Sequence, residues 1–419
     1  MKRILLLGAG FSGLWSAVGA ARKLDELKVG PNDVEVTLVN RDAWHDIRVR
    51  NYESDLSHVR VPLHDVLDPI GVRLVEGEVT DFDLGTRKVS INTVDGARAL
   101  PYDRMVFALG SHLVRPAIRG LAEYAFDVDT WAGGQRLNEH IAALPTRRAS
   151  PGQYTVLVVG SGLTGCEAAT EAVGKLQATV EHAGLKGKVH LRVIIADHSP
   201  HIGSNMGESA VPVILEALKA LGIEARTGVS VTAIDRNGAT LAPDGHIDAA
   251  TVVWCTGMHA SRLTEKFPVE RDHFGRVPVD AFLRVKGVDG VFAAGDVAWF
   301  EISKGHDNVM SCQHGRPMGR YAGHNVVCNL LGKPMLPLRI DWYTTILDLG
   351  AWGAVYTEGW DRQVATTGQA AKQTKRTINR ERIYPPLTRN RADILAEAAP
   401  VVQAPPQKHE TAKDAAFVR

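Results

Sequence analysis

Two glycine-rich turns, Gly8-Ala9-Gly10-Phe11-Ser12-Gly13 and Gly160-Ser161-Gly162-Leu163-Thr164-Gly165, have the residue types and spacing to seat a pyrophosphate. Glycine lacks the Cβ that would hold the backbone away from a phosphate, and a helix beginning at each turn offers free N–H groups and the positive end of its dipole to an anion. A single turn of this kind is weak evidence, because glycine there can serve strand-to-helix packing alone. Two in one chain point to two bound dinucleotides. Two dinucleotides held by one fold imply electron transfer from one to the other.

The elements around the turns repeat. Ile4 to Leu7 and Val156 to Val159 are short continuous apolar runs, the pattern of buried parallel strands, and each leads straight into its glycine turn. After the first turn the chain reads helix, strand (Val34 to Val39), then short strands from Arg73 to Asn92 with turns at Leu84-Gly85 and Asp95-Gly96, closing on Met105 to Gly110. The second turn leads into a helix from about Thr164, a strand Leu191 to Ala196, turns at Asn237-Gly238 and Asp244-Gly245, and Val252 to Gly257. The Glu181 to Lys188 stretch, with Gly184 and Gly187, reads as a loop.

A third signature, Gly295-Asp296 at the end of Val291-Phe292-Ala293-Ala294, completes a resemblance. The chain resembles the two-dinucleotide-binding-domain flavoproteins of the glutathione reductase type, the pyridine nucleotide-disulfide oxidoreductase superfamily, and within it is most similar to type II NADH dehydrogenases. Gly162 to Glu167, Cys255-Thr256-Gly257, and Ser311-Cys312-Gln313 leading to Gly319-Arg320-Tyr321 carry the likeness. It implies an α/β fold with two Rossmann-like domains, one for FAD and one for NADH, the second inserted in the first, plus a small C-terminal α+β region.

The resemblance places FAD on Gly8, Gly10, Phe11, Ser12 and Gly13, with Asn40, Arg41, Val79, Ala108, Gly110, Gly295, Asp296 and Gln313 around it and Asp296 on the ribityl chain. Asn40 stands where the family has an acid for the adenosine ribose. Its amide oxygen can still accept a hydroxyl hydrogen bond, without the charge that strengthens one; it also reads as an ordinary polar strand end. NADH falls to Gly160, Gly162, Leu163, Thr164, Gly165, Glu167, Asp197 and Gly257. Asp197 can accept both ribose hydroxyls and repel a 2′-phosphate, which favours NADH over NADPH, although a protonated His198 would soften that. Glu167 and Gln313 are the expected catalytic pair; Glu167 otherwise reads as a first-turn carboxylate stabilised by the helix dipole. No metal site is expected.

Cys166, Cys255, Cys312 and Cys328 form no C-x-x-C or C-x₄-C pair, so disulfide chemistry is set aside and each reads as a small packing residue. Direct hydride transfer then needs orientation and water exclusion rather than a general base. His314, beside Gln313, is the histidine to watch. The acceptor side departs from the family: Gln313 is present, but Pro317 occupies the place of a second glutamine, so a quinone or another small oxidant stays open.

A net charge of +1 argues against nucleic acid as a partner, and 45% hydrophobic residues over 419 suffice for two or three cores. Met1 to Leu7 reads as a strand, not a signal peptide, and no run reaches the ~20 apolar residues of a spanning helix. Residues 363–383 hold Lys372, Lys375, Arg376, Arg380 and Arg382, a solvated basic helix surface that leaves peripheral membrane contact open. Unpaired cysteines point to a reducing, cytoplasmic setting, with peripheral placement on the inner face of a membrane also open. The expected domains are 1–150 and 260–335 for FAD, 151–259 for NADH, 336–399 as an interface region and 400–419 as a flexible tail. In 336–399 a hairpin around Leu349-Gly350, with Trp342, Tyr343, Trp352, Tyr356 and Trp360, could cover the flavin, form a homodimer surface or fill a core. A redox-sensing binding protein on the same fold, resembling apoptosis-inducing factor, is the competing expectation to an NADH dehydrogenase.

Overall fold

The computed structural model describes residues 1–408. The apolar strand Lys2–Leu7 lies at the centre of a parallel five-stranded sheet, between Val34–Asn40 and Arg104–Phe107, with Arg73–Glu76 and Val291–Ala293 at the edges. Ile4, Leu6 and Leu7 are fully buried, as a strand covered on both faces requires. Helix Phe11–Glu26 packs on this sheet and against helix Cys312–Leu330. That crossing is close because glycines line it: a Cβ on Gly319 would lie 2.4 Å from the Ser12 carbonyl oxygen, and one on Gly323 2.2 Å from that of Ser16.

The second module repeats the plan. Thr155–Val159 is central in a parallel sheet ordered Ala125–Phe126, Thr251–Trp254, Thr155–Val159, Arg192–Asp197, Ile223–Thr227. Each module also carries a three-stranded antiparallel sheet, Glu78–Asp83, Lys88–Thr93, Gly96–Pro101 in one and Ser230–Asp235, Gly238–Ala242, Gly245–Asp248 in the other. The bulges fall at matching places, between Val79 and Asp81 and between Val231 and Ala233. Ser111–Leu113 pairs with Met258–Ala260 to tie the modules together.

Two expectations need correction. The second sheet draws on chain ahead of residue 151: Ala125–Phe126 pairs with Val252 and Val253, and Leu137 and Ile141 of helix Trp131–Ala142 enter its core. The boundary expected between residues 150 and 151 therefore lies inside that module. The basic stretch is also not a solvated surface throughout. Gln363–Thr367 is the third strand of an antiparallel sheet with Thr344–Asp348 and Ala354–Glu358, and helix Gly368–Thr377 behind it buries Lys375.

This C-terminal region contributes Leu347, Leu349 and Val355 to the second core, and Ile394 and Leu395 of helix Arg391–Glu397 to the first. Residues 401–408 have no regular backbone structure, and the rest of the expected tail lies outside the described residues. Among the described residues no helix is long and apolar enough to cross a membrane.

Candidate functional site

The two glycine turns have nearly the same geometry. Gly8 and Gly160 sit at φ +90° and +102°, in the region that favours glycine. A Cβ on Gly13 would lie 1.7 Å from the Gly8 carbonyl oxygen, and one on Gly165 1.8 Å from that of Gly160. Gly10 would meet nothing within 4 Å and Gly162 only the Asn205 amide at 3.7 Å, so the middle glycine of each turn faces open space. Both begin helices with no side-chain cap, Phe11–Glu26 and Leu163–His182. Thr130, Ser311 and Asn390 do cap the helices they precede. Uncapped N–H groups over open space are what a dinucleotide pyrophosphate fits.

The residues at the strand ends brace these turns. Asn40 Oδ1 accepts from the Ala9 N–H at 3.0 Å, and Asp197 Oδ2 accepts from the Ser161 N–H at 2.6 Å. The Asn40 amide group donates to the carbonyls of Asp42 at 2.9 Å and Trp44 at 3.2 Å, a use no carboxylate could serve. Asp197 Oδ1 accepts from the Ser199 N–H at 2.8 Å. Burial works to raise the Asp197 pKa, but the hydrogen bonds from Ser199 and Ser161 outweigh it and hold the carboxyl below its usual range. His198 is exposed and lies 3.3 Å from Asp197.

Gly295 and Asp296 come to the first turn. Gly295 lies against Ser12, whose hydroxyl donates to the Gly315 carbonyl at 2.9 Å. Ser111 donates to Asp296 Oδ2 at 2.6 Å; Arg48 donates to Ser111 Oγ at 2.9 Å and pairs with Asp129. Ala108 abuts Gly8, Gly110 is open on its Cβ side, Gly257 backs onto Val114, Val79 is half-buried in its strand, and Arg41 is exposed. His45 is buried beneath the first turn, its Nδ1–H donating to the Ala9 carbonyl at 2.7 Å and its ring edge-on to Phe11. Burial lowers its pKa to about 4, with Arg316 opposing the charged form as well. Sequence reasoning missed Arg48, Ser111, Asp129 and His45, none of which stands in a motif.

Glu167 departs from the first-turn reading. It is buried, accepts from Lys375 Nζ at 2.7 Å and from the Asp348 N–H at 3.2 Å. Burial pushes its carboxyl above the usual range, with Lys375 working the other way. Burial opposes the charged form of Lys375, but Glu167 outweighs it and raises that pKa. Lys372 pairs with Asp348 beside them.

On the remaining side, Gln313 Oε1 accepts from Thr344 Oγ1 at 3.3 Å, while its Nε2 is buried and without a partner among the described residues. His314 accepts the Val309 N–H on Nδ1 at 3.0 Å, leaving its proton on Nε2, which is buried and unpartnered within the same residues. Burial lowers its pKa to about 4. Tyr343 and Trp360 stack at 4.7 Å and approach the His314 ring at 5.8 and 6.0 Å. Helix Cys312–Leu330 runs unbroken through Pro317, which costs it the N–H that the Gln313 carbonyl would otherwise accept. All four cysteines are free, and burial raises each thiol's pKa, Cys166 to about 12. They are poor nucleophiles.

Comparison with known proteins agrees with this layout. The family model of pyridine nucleotide-disulphide oxidoreductases matches residues 2–319. An NADH dehydrogenase-like protein of Mycobacterium tuberculosis is 54% identical over 406 residues, covering 97% of this chain and 100% of the relative. A type II NADH:quinone oxidoreductase of Staphylococcus saprophyticus is 25% identical, with 91% and 95% covered. The solved structure of NDH2 from Plasmodium falciparum in complex with NADH has the same fold, at a TM-score of 0.76, 14% identity, and 95% and 97% coverage.

Proposed function

Because the chain belongs to the pyridine nucleotide-disulphide oxidoreductase family, we propose that it is an enzyme that binds FAD, oxidises NADH and passes the electrons to a quinone. The observation that carries this reading is the duplicated, uncapped glycine turn, open at Gly10 and at Gly162. When bound, FAD supplies the ability to take a hydride from a reduced nicotinamide and release the electrons to an acceptor.

The chain's residues do the rest. Gly8, Gly10 and Gly13 with the N–H groups that follow hold the flavin nucleotide's pyrophosphate, and Asp296, oriented by Ser111, receives its ribityl hydroxyls. Gly160, Gly162 and Gly165 hold that of NADH. Asp197 keeps lone pairs for the ribose hydroxyls beyond the two N–H bonds it already accepts, and its charge repels a 2′-phosphate. Glu167 fixes Lys375 and so locks the start of helix Leu163–His182 to the C-terminal sheet. Gln313 Nε2 and His314 Nε2–H are buried donors that suit an acceptor's carbonyl oxygens.

The test is anaerobic mixing of the yellow protein with NADH, followed by menadione. Flavin absorbance should bleach with NADH, bleach less readily with NADPH, and recover over many turnovers after the quinone. Flavin that NADH leaves oxidised overturns the donor; reduced flavin that the quinone does not reoxidise overturns the acceptor and favours a sensor.

A further inference from the structure

One cluster has no part in this chemistry. Trp15, fully buried in helix Phe11–Glu26, carries two guanidiniums over its ring, Arg316 at 5.1 Å and Arg320 at 4.3 Å, both from helix Cys312–Leu330. Both arginines are buried, yet their bonding is thin. Arg316 reaches Gln403 Oε1 at 3.5 Å and Arg320 reaches Glu397 Oε2 at 3.5 Å, the outer limit of a hydrogen bond. The Nε–H of each is buried with no partner among the described residues, and so is the Trp15 indole N–H. Arg382, half-buried, donates a hydrogen bond to the Ala404 carbonyl and adds a third positive charge.

Among the described residues the charges do not balance: three guanidiniums face one carboxylate, Glu397, whose own side chain is 53% exposed. A buried cation is normally paired. Burial lowers the Arg316 pKa to about 9 and the Arg320 pKa to about 10, and mutual repulsion with Arg382 adds to both. The oxygens that cover the cluster, from Gln403 and Ala404, are neutral and belong to a segment without regular structure.

We propose that Arg316, Arg320 and Arg382, seated on Trp15, form a binding site for an oxyanion, a phosphate or carboxylate group, which takes the donors that the 397–404 segment now covers. Guanidiniums present several N–H donors in a planar fork that matches such an anion, and indole stacking fixes their planes. The site lies behind the first glycine turn, with Arg316 following the Gly315 that packs on Ser12, and it stands whether or not NADH is the donor.

Calorimetric titration of the FAD-loaded enzyme with inorganic phosphate and with succinate tests it, alongside vesicles of phosphatidylglycerol or phosphatidylcholine. Saturable binding of either small anion, accompanied by a tryptophan fluorescence change that Trp15→Phe abolishes, is expected. Arg320→Met and Arg316→Met should each weaken it at least tenfold, a factor about that of one charge-assisted contact. Binding to phosphatidylglycerol vesicles alone, competed by phosphate and weakened by the same variants, supports the same site with a lipid headgroup as the source. Should the Met variants fail to fold, Arg382→Gln, which touches the cluster from its rim, must still lower affinity. No saturable binding up to about 10 mM anion, binding unchanged in all variants, or binding seen only after FAD is stripped away would each overturn the proposal.

Discussion

The two glycine turns share a backbone and differ in what stands behind them. Behind the first, Asn40 is tied on both ends of its amide, to Ala9 and to the Asp42–Trp44 loop, and His45 props the turn from below. Behind the second, Asp197 keeps a charge, and one helical turn further on Glu167 is buried on a lysine from the far end of the chain. The first turn is a braced, neutral seat, suited to a nucleotide that stays. The second is a charged seat whose helix start answers to another part of the molecule, suited to a nucleotide that comes and goes.

The largest break in that comparison should come from Glu167→Gln. It leaves Lys375 buried without its carboxylate, which costs about 3–5 kcal/mol, and both the thermal midpoint and NADH-driven flavin bleaching should fall. Unchanged stability would show that the pair is not tightly coupled.

Acid should act next, and on both modules. His45 in the first and His140 in the second, whose Nε2 meets Thr251 Oγ1 at 2.9 Å, are each lowered to about 4 by burial. The unfolded chain therefore binds more protons than the folded one between about pH 6.5 and 4, and stability falls as pH drops through that window, by up to about 3 kcal/mol per histidine. Urea denaturation at pH 7 and pH 5 measures this; His45→Gln should flatten the slope.

Gly13→Ala and Gly165→Ala sharpen the contrast between seats. Each places a methyl against a carbonyl oxygen, at a cost of about 1–3 kcal/mol, but the first should release FAD and the second should raise the KM for NADH while the protein stays yellow. The smallest effects are the swaps. Asp197→Asn should narrow the preference for NADH over NADPH by roughly tenfold, the scale of losing a charge-assisted bond. Asn40→Asp should fail to tighten FAD, because the donors to Asp42 and Trp44 are lost and a second carboxylate is set beside Asp42. A tighter flavin in that variant, by equilibrium dialysis, would restore the ribose role of position 40.

What could be read from the residues follows from how locally each is determined. Gly8, Gly13, Gly160 and Gly165 are forced by positive φ or by a carbonyl oxygen under 2 Å from a would-be Cβ, so their spacing is visible in the chain. Buried strands such as Ile4 to Leu7 announce themselves by continuous apolarity. Lys375 does not, because among basic neighbours it looks solvent-facing and its partner is 208 residues away. Asn40 was legible as a departure, but its purpose lies in the loop that follows. Pro317 was legible as a departure at the acceptor side, and the helix absorbs it by leaving one carbonyl without a backbone partner. The boundary expected at residue 151 fails for the opposite reason: Pro151-Gly152 has the composition of a linker, while Ala125–Phe126 ahead of it already belongs to the second sheet.

The uncapped helices have a consequence for how the molecule becomes whole. The Thr130 hydroxyl oxygen accepts the Gly133 N–H at the start of helix Trp131–Ala142 and so finishes that helix from within the sequence. Gly10 and Gly162 carry no side chain to do so, and on the proposed function the phosphates of the nucleotides would be the missing caps of Phe11–Glu26 and Leu163–His182. The helix starts would then be completed from the metabolite pool instead of the gene. Amide exchange at residues 11–13 should slow when flavin is supplied, and at residues 163–165 only while reduced nicotinamide lasts.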